Sequence, residues 1–570
     1  MGMRRKALLL LSLGLLFLSQ AGGICWSQTT ERVSVDTAGV EGDGPSFAPS
    51  ITADGRYVAF ESDATNLAGA VTDTNGWSDI FLRDRQTATT IRVSIHSDGT
   101  TQGNNRSNSP SISGDGRYVA FESWATNLVA TGGDAFPDIF VHNRQSATTT
   151  RVSVDSAGDE QVGESLSPSI SGDGRYVAFQ SNADLVIADS GLFTDIFVRD
   201  LLAAKTTRVS VASDGSEGSG HSYSPSISGD GRYVAFESNA TDLVPGDLLG
   251  FIDIFVHDRD ADGNGTYDEP GGISTVRVSV DSAGNEANSD SSAPSISADG
   301  RYVAFASNAS NLVAGDTNGR VDIFVRNLLA GTTTRVSVDS TGIQGNGDSR
   351  SPSVSADGRS VAFDSDASNL VAGDTNVSAD AFVHDRQTGI TERVSVDSTG
   401  IQGNGDSRSP SVSADGKYLA FESDSDNLVA SDGNGFFDIF TYEWESLAPT
   451  VDSTSPADSA NGVAVGSSIT ATFSEPMNGS TIDTNTFTLD NGVTGTVTYD
   501  ANSTTARFTP TSNLDYDTTY IATITNAAED LAGNPMLADH TWSFTTKSEQ
   551  KNSGGSGPCF IATAASDRSS

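Results

Sequence analysis

One segment of the chain has residue types and spacing that point directly to metal chemistry, residues 258–269 (DRDADGNGTYDE). Acidic residues alternate with other residues, a glycine stands at position 263, and a glutamate ends the segment. This matches the twelve-residue calcium-loop pattern, because Ca²⁺ prefers oxygen ligands and glycine permits the sharp turn. The six residues that would supply or orient the ligands are Asp258, Asp260, Asp262, Asn264, Thr266 and Glu269.

In such a loop the three aspartates bind through carboxylate oxygens and Glu269 through both of its carboxylate oxygens. Asn264 binds through its backbone carbonyl, and Thr266 lies near a bound water. Acidic side chains this close together would repel one another without a cation. The sequence therefore predicts Ca²⁺ as a structural cofactor, with a dissociation constant on the order of 10⁻⁴–10⁻³ M. The alternative is an acidic surface turn without a metal.

A second oxygen-rich pattern recurs along the chain. An aspartate precedes an Ile-Phe or Ala-Phe pair, another aspartate lies six residues earlier, and an asparagine stands between them. The residues concerned are Asp73, Asn75 and Asp79; Asp316, Asn318 and Asp322; Asp374, Asn376 and Asp380; and Asp432, Asn434 and Asp438. Three such oxygens could hold a calcium ion. The interpretation we favour is that these side chains cap turns through local backbone hydrogen bonds.

The sequence contains no comparable arrangement for catalysis. Of the six histidines, His142, His257 and His384 occupy a position that holds arginine in other repeats. Carboxylate pairs recur in repeat after repeat, which favours a structural role over one acid–base pair. Nucleophile and metalloprotease motifs are missing from the sequence. We therefore predict a protein that is not an enzyme; the alternative is an extracellular hydrolase or lyase acting on polysaccharide or peptide.

These residues are positioned by a repeat of about 58 residues. A segment close to Pro-Ser-Ile-Ser-x-Asp-Gly-Arg-Tyr-Val-Ala-Phe-Glu-Ser occurs seven times, beginning at Pro49, Pro110, Pro168, Pro225, Pro294, Pro352 and Pro410. Segments close to Asp-Ile-Phe-Val and Arg-Val-Ser-Val accompany each copy. Residues 335–358 and 393–416 are identical, so two adjacent repeats are little-changed copies.

Every segment of the repeat has the composition of a β-strand, and Asp-Gly is the preferred residue pair of a tight hairpin turn. Four antiparallel strands per repeat predict an all-β, seven-bladed β-propeller over residues 31–446. The first Arg-Val-Ser-Val segment (32–35) precedes the first complete repeat, and the last repeat lacks one. We therefore expect the N-terminal strand to close the last blade, which removes the exposed sheet edge.

The repeat also predicts which loops share a face of the disc. The fourth interval exceeds the others by about eleven residues, so residues 258–269 form an insertion in the hairpin between the third and fourth strands of blade four. That hairpin and the Asp-Gly turns share one face. The long loops share the opposite face, where we expect a protein or glycan partner. Residues that break the symmetry there are Trp77, Trp124, Phe136, Phe193, His221 and Tyr223.

The repeat resembles that of TolB-type propellers. The family segment Ser-Pro-Asp-Gly-Lys/Arg-x-Ile-Ala-Phe is matched here by Ser-Ala/Gly-Asp-Gly-Arg-Tyr-Val-Ala-Phe, with Ala or Gly in place of the family's proline. The family includes periplasmic scaffold proteins and propeller domains attached to peptidases. The resemblance therefore implies a fold rather than a reaction.

A second domain follows the propeller, over residues 448–546. Short alternating segments such as Ser468-Ile-Thr-Ala-Thr-Phe and Thr519-Tyr-Ile-Ala-Thr-Ile predict a β-sandwich. Phe473-Ser-Glu-Pro-Met-Asn and Trp542-Ser-Phe-Thr-Thr resemble segments of bacterial Ig-like domains. Such domains act as spacers or adhesive modules, and we expect a spacer.

The two ends of the chain indicate export. Residues 1–27 combine basic residues, an apolar run and small residues, as in a secretory signal peptide. Residues 547–570 form a Ser/Gly linker and a tail, in which Cys559-Phe-Ile-Ala-Thr-Ala-Ala resembles the CFI-box of exported bacterial proteins. The net charge of −41 argues against nucleic acid as a partner, and we expect no transmembrane span in the mature chain. The sequence predicts an exported, non-catalytic binding or scaffold protein.

Overall fold

A computed structural model describes residues 29–549, apart from 69–72, 131–132, 134, 188–192, 248, 445–448, 475–476, 502, 531–534 and 537. All regular elements in these residues are β-strands. The described ranges contain no helix with the length and hydropathy of a membrane span. The signal peptide and the CFI-box-like segment predicted from the sequence lie outside the described residues.

Seven four-stranded antiparallel sheets form the blades of the propeller. Blades one to three comprise β2 (Ser46–Ile51), β3 (Tyr57–Ser62), β4 (Asp79–Asp84) and β5 (Thr89–Arg92); β6 (Ser107–Ile112), β7 (Tyr118–Ser123), β8 (Asp138–Asn143) and β9 (Thr148–Arg151); and β10 (Ser165–Ile170), β11 (Tyr176–Ser181), β12 (Asp195–Asp200) and β13 (Lys205–Arg208).

Blades four to six comprise β14 (Ser222–Ile227), β15 (Tyr233–Ser238), β16 (Asp253–Asp258) and β17 (Ser274–Arg277); β18 (Ser291–Ile296), β19 (Tyr302–Ser307), β20 (Asp322–Asn327) and β21 (Thr332–Arg335); and β22 (Ser349–Val354), β23 (Ser360–Ser365), β24 (Asp380–Asp385) and β25 (Ile390–Arg393). Blade seven comprises β26 (Ser407–Val412), β27 (Tyr418–Ser423), β28 (Asp438–Glu443) and, from the start of the chain, β1 (Thr30–Arg32).

The ring closes as the sequence predicts. Strand β1 pairs antiparallel with β28, with Thr30 opposite Tyr442 and Arg32 opposite Phe440. The next residues extend the contact, since the Ser34 hydroxyl donates to the carboxylate of Asp438 at 2.5 Å. This pairing gives blade seven its fourth strand and leaves no long unpaired edge on β28.

The core lies between neighbouring blades. In each blade the phenylalanine of Tyr-Val-Ala-Phe stacks on that of Asp-Ile-Phe-Val, as Phe60 does on Phe81 with ring centroids 6.0 Å apart. One hydrophobic cluster joins Ile80 and Leu82 of blade one to Phe121 and Phe140 of blade two. Because each blade buries both faces against its neighbours, the seven sheets share a continuous core.

Tyrosines near the Asp-Gly turns also link adjacent blades. Gly55 has a φ of 68°, and a Cβ there would lie 2.2 Å from the ring of Tyr418 in blade seven. At four junctions an arginine covers the tyrosine of the preceding blade, as Arg144 does over Tyr57 at 4.2 Å. Blades three and five have Leu201 and Leu328 at this position. In blade six the corresponding tyrosine is replaced by Ser360, and in blade seven the corresponding arginine is replaced by Trp444, which is buried.

The second domain is a two-sheet sandwich. One sheet has the order β29 (Val451–Ser455), β31 (Ile469–Phe473), β34 (Thr505–Pro510) and β33 (Gly495–Asp500). The other has the order β30 (Ala460–Val463), β36 (His540–Thr546), β35 (Thr519–Ile524) and β32 (Phe487–Leu489). Alternate residues point inward, and Phe487 packs on Phe508 and Trp542 at the centre of the core.

Candidate partner-binding face

The antiparallel order of the strands divides the connections of each blade between two faces. The first and third connections, which include the Asp-Gly turns, form what we call the turn face. The second connection and the link to the next blade form the loop face. The insertion at 258–269 follows β16 and therefore lies on the turn face, because it joins the third and fourth strands.

The loop face carries an arc of aromatic residues. Each stands two positions before the first residue of the third strand, and we call the set Trp77, Phe136, Phe193, Phe251 and Phe436 the aromatic arc. Trp77, Phe136 and Phe436 are 50%, 41% and 42% exposed. The equivalent residues of blades five and six are Arg320 and Ser378. The arc therefore covers five consecutive blades, from seven through one to four.

Further aromatic residues extend the arc towards the central channel. Phe437 packs on Phe47 with ring centroids 5.6 Å apart, across the junction of blades seven and one. His221 lies between Phe193 and Tyr223, at 5.3 and 5.8 Å.

Arg106 stacks over Trp124, with its guanidinium carbon 3.9 Å from the ring centroid. Sequence reasoning singled out Trp77, Trp124, Phe136, Phe193, His221 and Tyr223 but missed Phe47, Phe251, Phe436 and Phe437. Comparison of equivalent positions across all seven repeats would have found Phe251 and Phe436.

The central channel has a collar of seven prolines. A cavity of about 400 Å³ is lined by Pro49, Pro110, Pro168, Pro225, Pro294, Pro352 and Pro410 and by small residues next to them. The residue before each proline, for example Ser109, has a positive φ near 50°. This conformation interrupts the pairing of the inner strand and turns the N–H of that residue towards the preceding blade.

A ring of polar side chains accepts six of these seven N–H groups across the blade junctions; blade five has Ala306 at the acceptor position. The acceptors are Glu61, Glu122, Gln180, Glu237, Asp364 and Glu422, at 2.7–3.3 Å. The pKa of Glu61 is raised to about 7, mainly by burial and in part by the neighbouring carboxylates of Glu122 and Glu422. We call the five carboxyl groups of this set, those of Glu61, Glu122, Glu237, Asp364 and Glu422, the acidic ring. They are one hydrogen bond away from the lining of the cavity.

The first residue of the predicted calcium loop pairs with an arginine. The Asp258 carboxylate accepts two hydrogen bonds from the Arg232 guanidinium, at 2.7 and 2.8 Å. A cation at this position would compete with that bidentate ion pair.

The remaining loop residues gather around Asn264. Its backbone N–H donates to Asp260 at 2.9 Å, and its side-chain amide donates to Asp262 and Glu269 at 2.9 and 3.0 Å. The side chain of Asn264 accepts from the Thr266 N–H. Asp260, Asp262 and Glu269 thus share Asn264 as a neighbour, whereas Asp258 pairs with Arg232. Their carboxylates do not form a group of three with ligand atoms within 4.8 Å of one another.

The end of the same insertion packs against blade three. The rings of Tyr176 and Tyr267 contact each other with centroids 5.6 Å apart, and the guanidinium of Arg259 lies 4.9 and 5.0 Å from them. Arg259 also donates two hydrogen bonds to Asp268. The insertion also forms one wall of a polar pocket of about 650 Å³ between blades three and four. Its position therefore links two blades on the turn face.

The second predicted set surrounds arginines. Arg92 contacts Asp73 and Asp79 at 3.8 and 3.1 Å. Equivalent pairs join Arg335 to Asp316 and Asp322, Arg393 to Asp374 and Asp380, and Arg32 to Asp432 and Asp438. The asparagine amides donate to backbone carbonyls, as Asn75, Asn318, Asn376 and Asn434 do to Gly103, Gly345, Gly403 and Gly42. In each set the arginine supplies positive charge beside the two aspartates.

Blade four has a larger acidic group of the same kind. The ligand atoms of Asp247, Asp253 and Glu286 lie within 4.8 Å of one another. Arg277 contacts all three residues, at 3.8, 3.2 and 2.8 Å. Burial raises the pKa of Asp253 to about 6, although the Ser279 hydrogen bond and the charge of Arg277 oppose this rise.

Three of the histidines are buried within blades. His142, His257 and His384 each hydrogen-bond through Nδ1 to a threonine of the outer strand, at 2.8–3.0 Å. Burial lowers the pKa of each to about 4. They are therefore neutral at physiological pH, and their environment is that of core residues.

Comparison with known proteins identifies the second domain. Residues 445–546 match the family model of the bacterial Ig-like domain. This part of the chain is a bacterial Ig-like domain. No curated protein sequence matches the chain.

Among solved structures, the chain is similar to TolB from Acinetobacter baumannii (14% identity, TM-score 0.32, 66% of this chain and 83% of that chain). It is also similar to the β-propeller domain of the Trilobed protease from Pyrococcus furiosus (10% identity, TM-score 0.40, 70% and 96%). A third similar structure is oligogalacturonate lyase in complex with manganese (12% identity, TM-score 0.41, 74% and 97%). At these values the likeness carries no functional argument.

Proposed function

We propose that this is an exported, non-catalytic binding or scaffold protein, which binds its partner on the loop face of the propeller. The aromatic arc carries this proposal. Large apolar side chains on a soluble surface mark interaction sites when they form a group, and aromatic residues are the usual anchors of such sites. Here they occupy equivalent positions on five consecutive blades and are missing from blades five and six.

The predicted export and the second domain indicate the compartment in which this binding takes place. The predicted signal peptide directs the chain out of the cytoplasm, and the bacterial Ig-like domain is a module that extends or attaches a functional domain. We propose a location in the periplasm, at the cell surface or outside the cell. The propeller then presents its loop face to a protein or glycan of that compartment.

We also propose that the insertion of blade four binds calcium as a structural cofactor, through Asp260, Asp262, Asn264 and Glu269. Asp260, Asp262 and Glu269 support this proposal because they already lie around Asn264. Asp258 joins the calcium ligands only when calcium displaces Arg232. An ion on the turn face would order the hairpin without touching the partner. Calcium is therefore assigned to stability and not to recognition.

Site-specific photo-crosslinking in the exporting cell tests the binding proposal. A photoreactive phenylalanine derivative replaces Trp77 on the loop face, and in a matched control it replaces Leu329 on the turn face, which is 75% exposed. We expect discrete crosslinked species from position 77 and none of the same size from position 329. Equal patterns from both positions would contradict the proposal.

A further inference from the structure

The loop face combines apolar anchors with negative charge. Acidic side chains outnumber basic ones around the mouth of the channel. Asp63, Glu164, Asp290 and Asp424 lie there, next to the first or second strand of their blades. Arg350 and Arg408 lie there as well, and they pair with Asp348, Asp366 and Asp406. The acidic ring lies beneath this surface, next to the collar. A partner that covers the arc therefore also faces a concentration of carboxylates, and a second anionic surface would be repelled.

One basic side chain of the chain itself already packs on this face. The guanidinium of Arg106 lies over the ring of Trp124 at 3.9 Å. In a contact of this kind the positively charged group lies over the negative face of the aromatic ring. The same contact is open to basic side chains of a partner at the exposed rings of Trp77 and Phe436.

We propose that the partner on the aromatic arc is a basic polypeptide segment, in which lysine or arginine alternates with apolar residues. Its apolar residues pack on the arc, and its basic residues face the carboxylates of the mouth and of the acidic ring. The inference rests on the proposed binding function and deepens it by naming the chemistry of the partner. A neutral glycan could use the aromatic rings but would gain nothing from the carboxylates.

Fluorescence anisotropy with synthetic probes tests this inference on the full mature chain. The probes are labelled twelve-residue peptides that alternate Lys with Leu, Lys with Ser or Glu with Leu, together with a neutral glucose hexasaccharide. We expect the Lys/Leu peptide to bind at least tenfold more tightly than the other three probes. We also expect its affinity to fall at least fivefold between 50 and 500 mM salt, because salt screens the charge contribution.

Two sets of variants assign the binding to the arc and to the ring. Combined Trp77→Ser, Phe136→Ser and Phe436→Ser substitutions should weaken the Lys/Leu peptide at least tenfold. The matched control, Leu202→Ser with Leu329→Ser on the turn face, should leave it unchanged. In the ring, Glu61→Gln, Glu237→Gln and Glu422→Gln together should weaken binding severalfold and reduce its salt dependence. Gln180 already accepts the N–H of Ser224 at 2.9 Å, so glutamine preserves these inter-blade hydrogen bonds.

The results distinguish the inference from the proposed function. Equal binding of the Glu/Leu and Lys/Leu peptides, or binding of the hexasaccharide in place of the Lys/Leu peptide, would overturn the basic-segment inference. Binding of the Lys/Leu peptide that survives the arc substitutions would overturn it as well. In each case the proposed function stands if position 77 still crosslinks a partner in cells, and it fails if position 77 gives no specific crosslink.

Discussion

At the scale of single residues, the protonation of Glu61 beside the channel affects the free energy of unfolding. Its pKa is raised from 4.5 to about 7, first by burial and then by neighbouring carboxylates. The folded protein therefore binds a proton between about pH 4.5 and 7 that the unfolded chain releases. The contribution of this group to the free energy of unfolding is therefore complete below pH 4.5 and is lost as the pH rises through 7.

Glu61→Gln should remove that pH dependence. The amide keeps an acceptor for the Ser109 N–H and carries no charge at any pH. We expect the wild-type free energy of unfolding to fall by up to about 2 kcal/mol more than that of the variant between pH 5 and 8. Urea unfolding at both pH values measures the difference, and parallel pH profiles would show that the prediction is wrong.

Also at this scale, substitutions in the insertion should distinguish acidic residues that bind calcium from the one that pairs with Arg232. Asp262→Asn with Glu269→Gln should abolish the heat of calcium binding in calorimetry and leave the melting temperature in EGTA unchanged. Asp258→Asn removes the partner of Arg232, so we expect about 1–2 kcal/mol lower stability with and without calcium. A melting temperature of the double variant that also falls in EGTA would assign those residues to the calcium-free structure.

At the scale of elements, the junction between blades six and seven has its own packing. Trp444 is 6% exposed, packs with Ala362 and Val383 of blade six, and donates to Glu392 at 3.0 Å. Because Ser360 replaces the tyrosine found in the other blades, we infer that the indole fills the volume that tyrosine and arginine fill at four other junctions.

Double-mutant analysis tests whether Trp444 fills the volume of the tyrosine and arginine found at other junctions. Trp444→Ala should lower the free energy of unfolding by about 3–5 kcal/mol, and Ser360→Tyr alone by about 1–3 kcal/mol through overpacking. The combination of Ser360→Tyr with Trp444→Arg recreates the pair Tyr302 and Arg386, whose contact distance is 4.6 Å. We expect it to be more stable than the sum of its single substitutions predicts. Additive effects would mean that the two positions do not share volume.

Closure of the ring depends on one short element. A chain that begins at Asp36 lacks β1 and leaves the N–H and C=O groups of β28 unpaired. We expect a lower melting temperature than in a chain that begins at Thr29, together with self-association through the exposed edge. Calorimetry and sedimentation measure both effects. Equal melting temperatures and a monomer in both chains would show that β1 contributes little.

At the scale of the whole molecule, the two domains have separate cores. The sandwich core contains residues of 465–544 alone, and the propeller clusters contain residues of 33–444 alone. We therefore expect two calorimetric transitions. Trp542→Ala should lower one melting temperature and leave the other within about 1 °C. A shift of both transitions would reveal coupling that the cores do not contain.

The sequence predicts the propeller well because its signals are local. Alternating apolar residues, Asp-Gly turns and a regular repeat specify strands and hairpins over a few residues each. The missing fourth strand of the last repeat even predicts closure by β1. The position of the insertion on the turn face follows from the same counting of strands.

Contacts between distant residues could not be predicted in this way. The calcium-loop pattern describes twelve consecutive residues, whereas the partner of Asp258 is Arg232, which immediately precedes the neighbouring strand β15. The same holds for Asp79 and Arg92, which meet across the pairing of β4 with β5. A sequence pattern shows which oxygen ligands are present, but it does not show which of them already pair with an arginine side chain.

By itself the sequence determined the all-β class, the seven blades, the closing strand and the Ig-like second domain, because each depends on local pattern or on repetition. Only the tertiary structure decided that the aromatic residues form one arc. Phe436 and Trp77 stand at opposite ends of the propeller sequence, and closure of the ring makes their blades neighbours. The arc exists only in the folded chain, because it depends on which blades are neighbours in the closed ring.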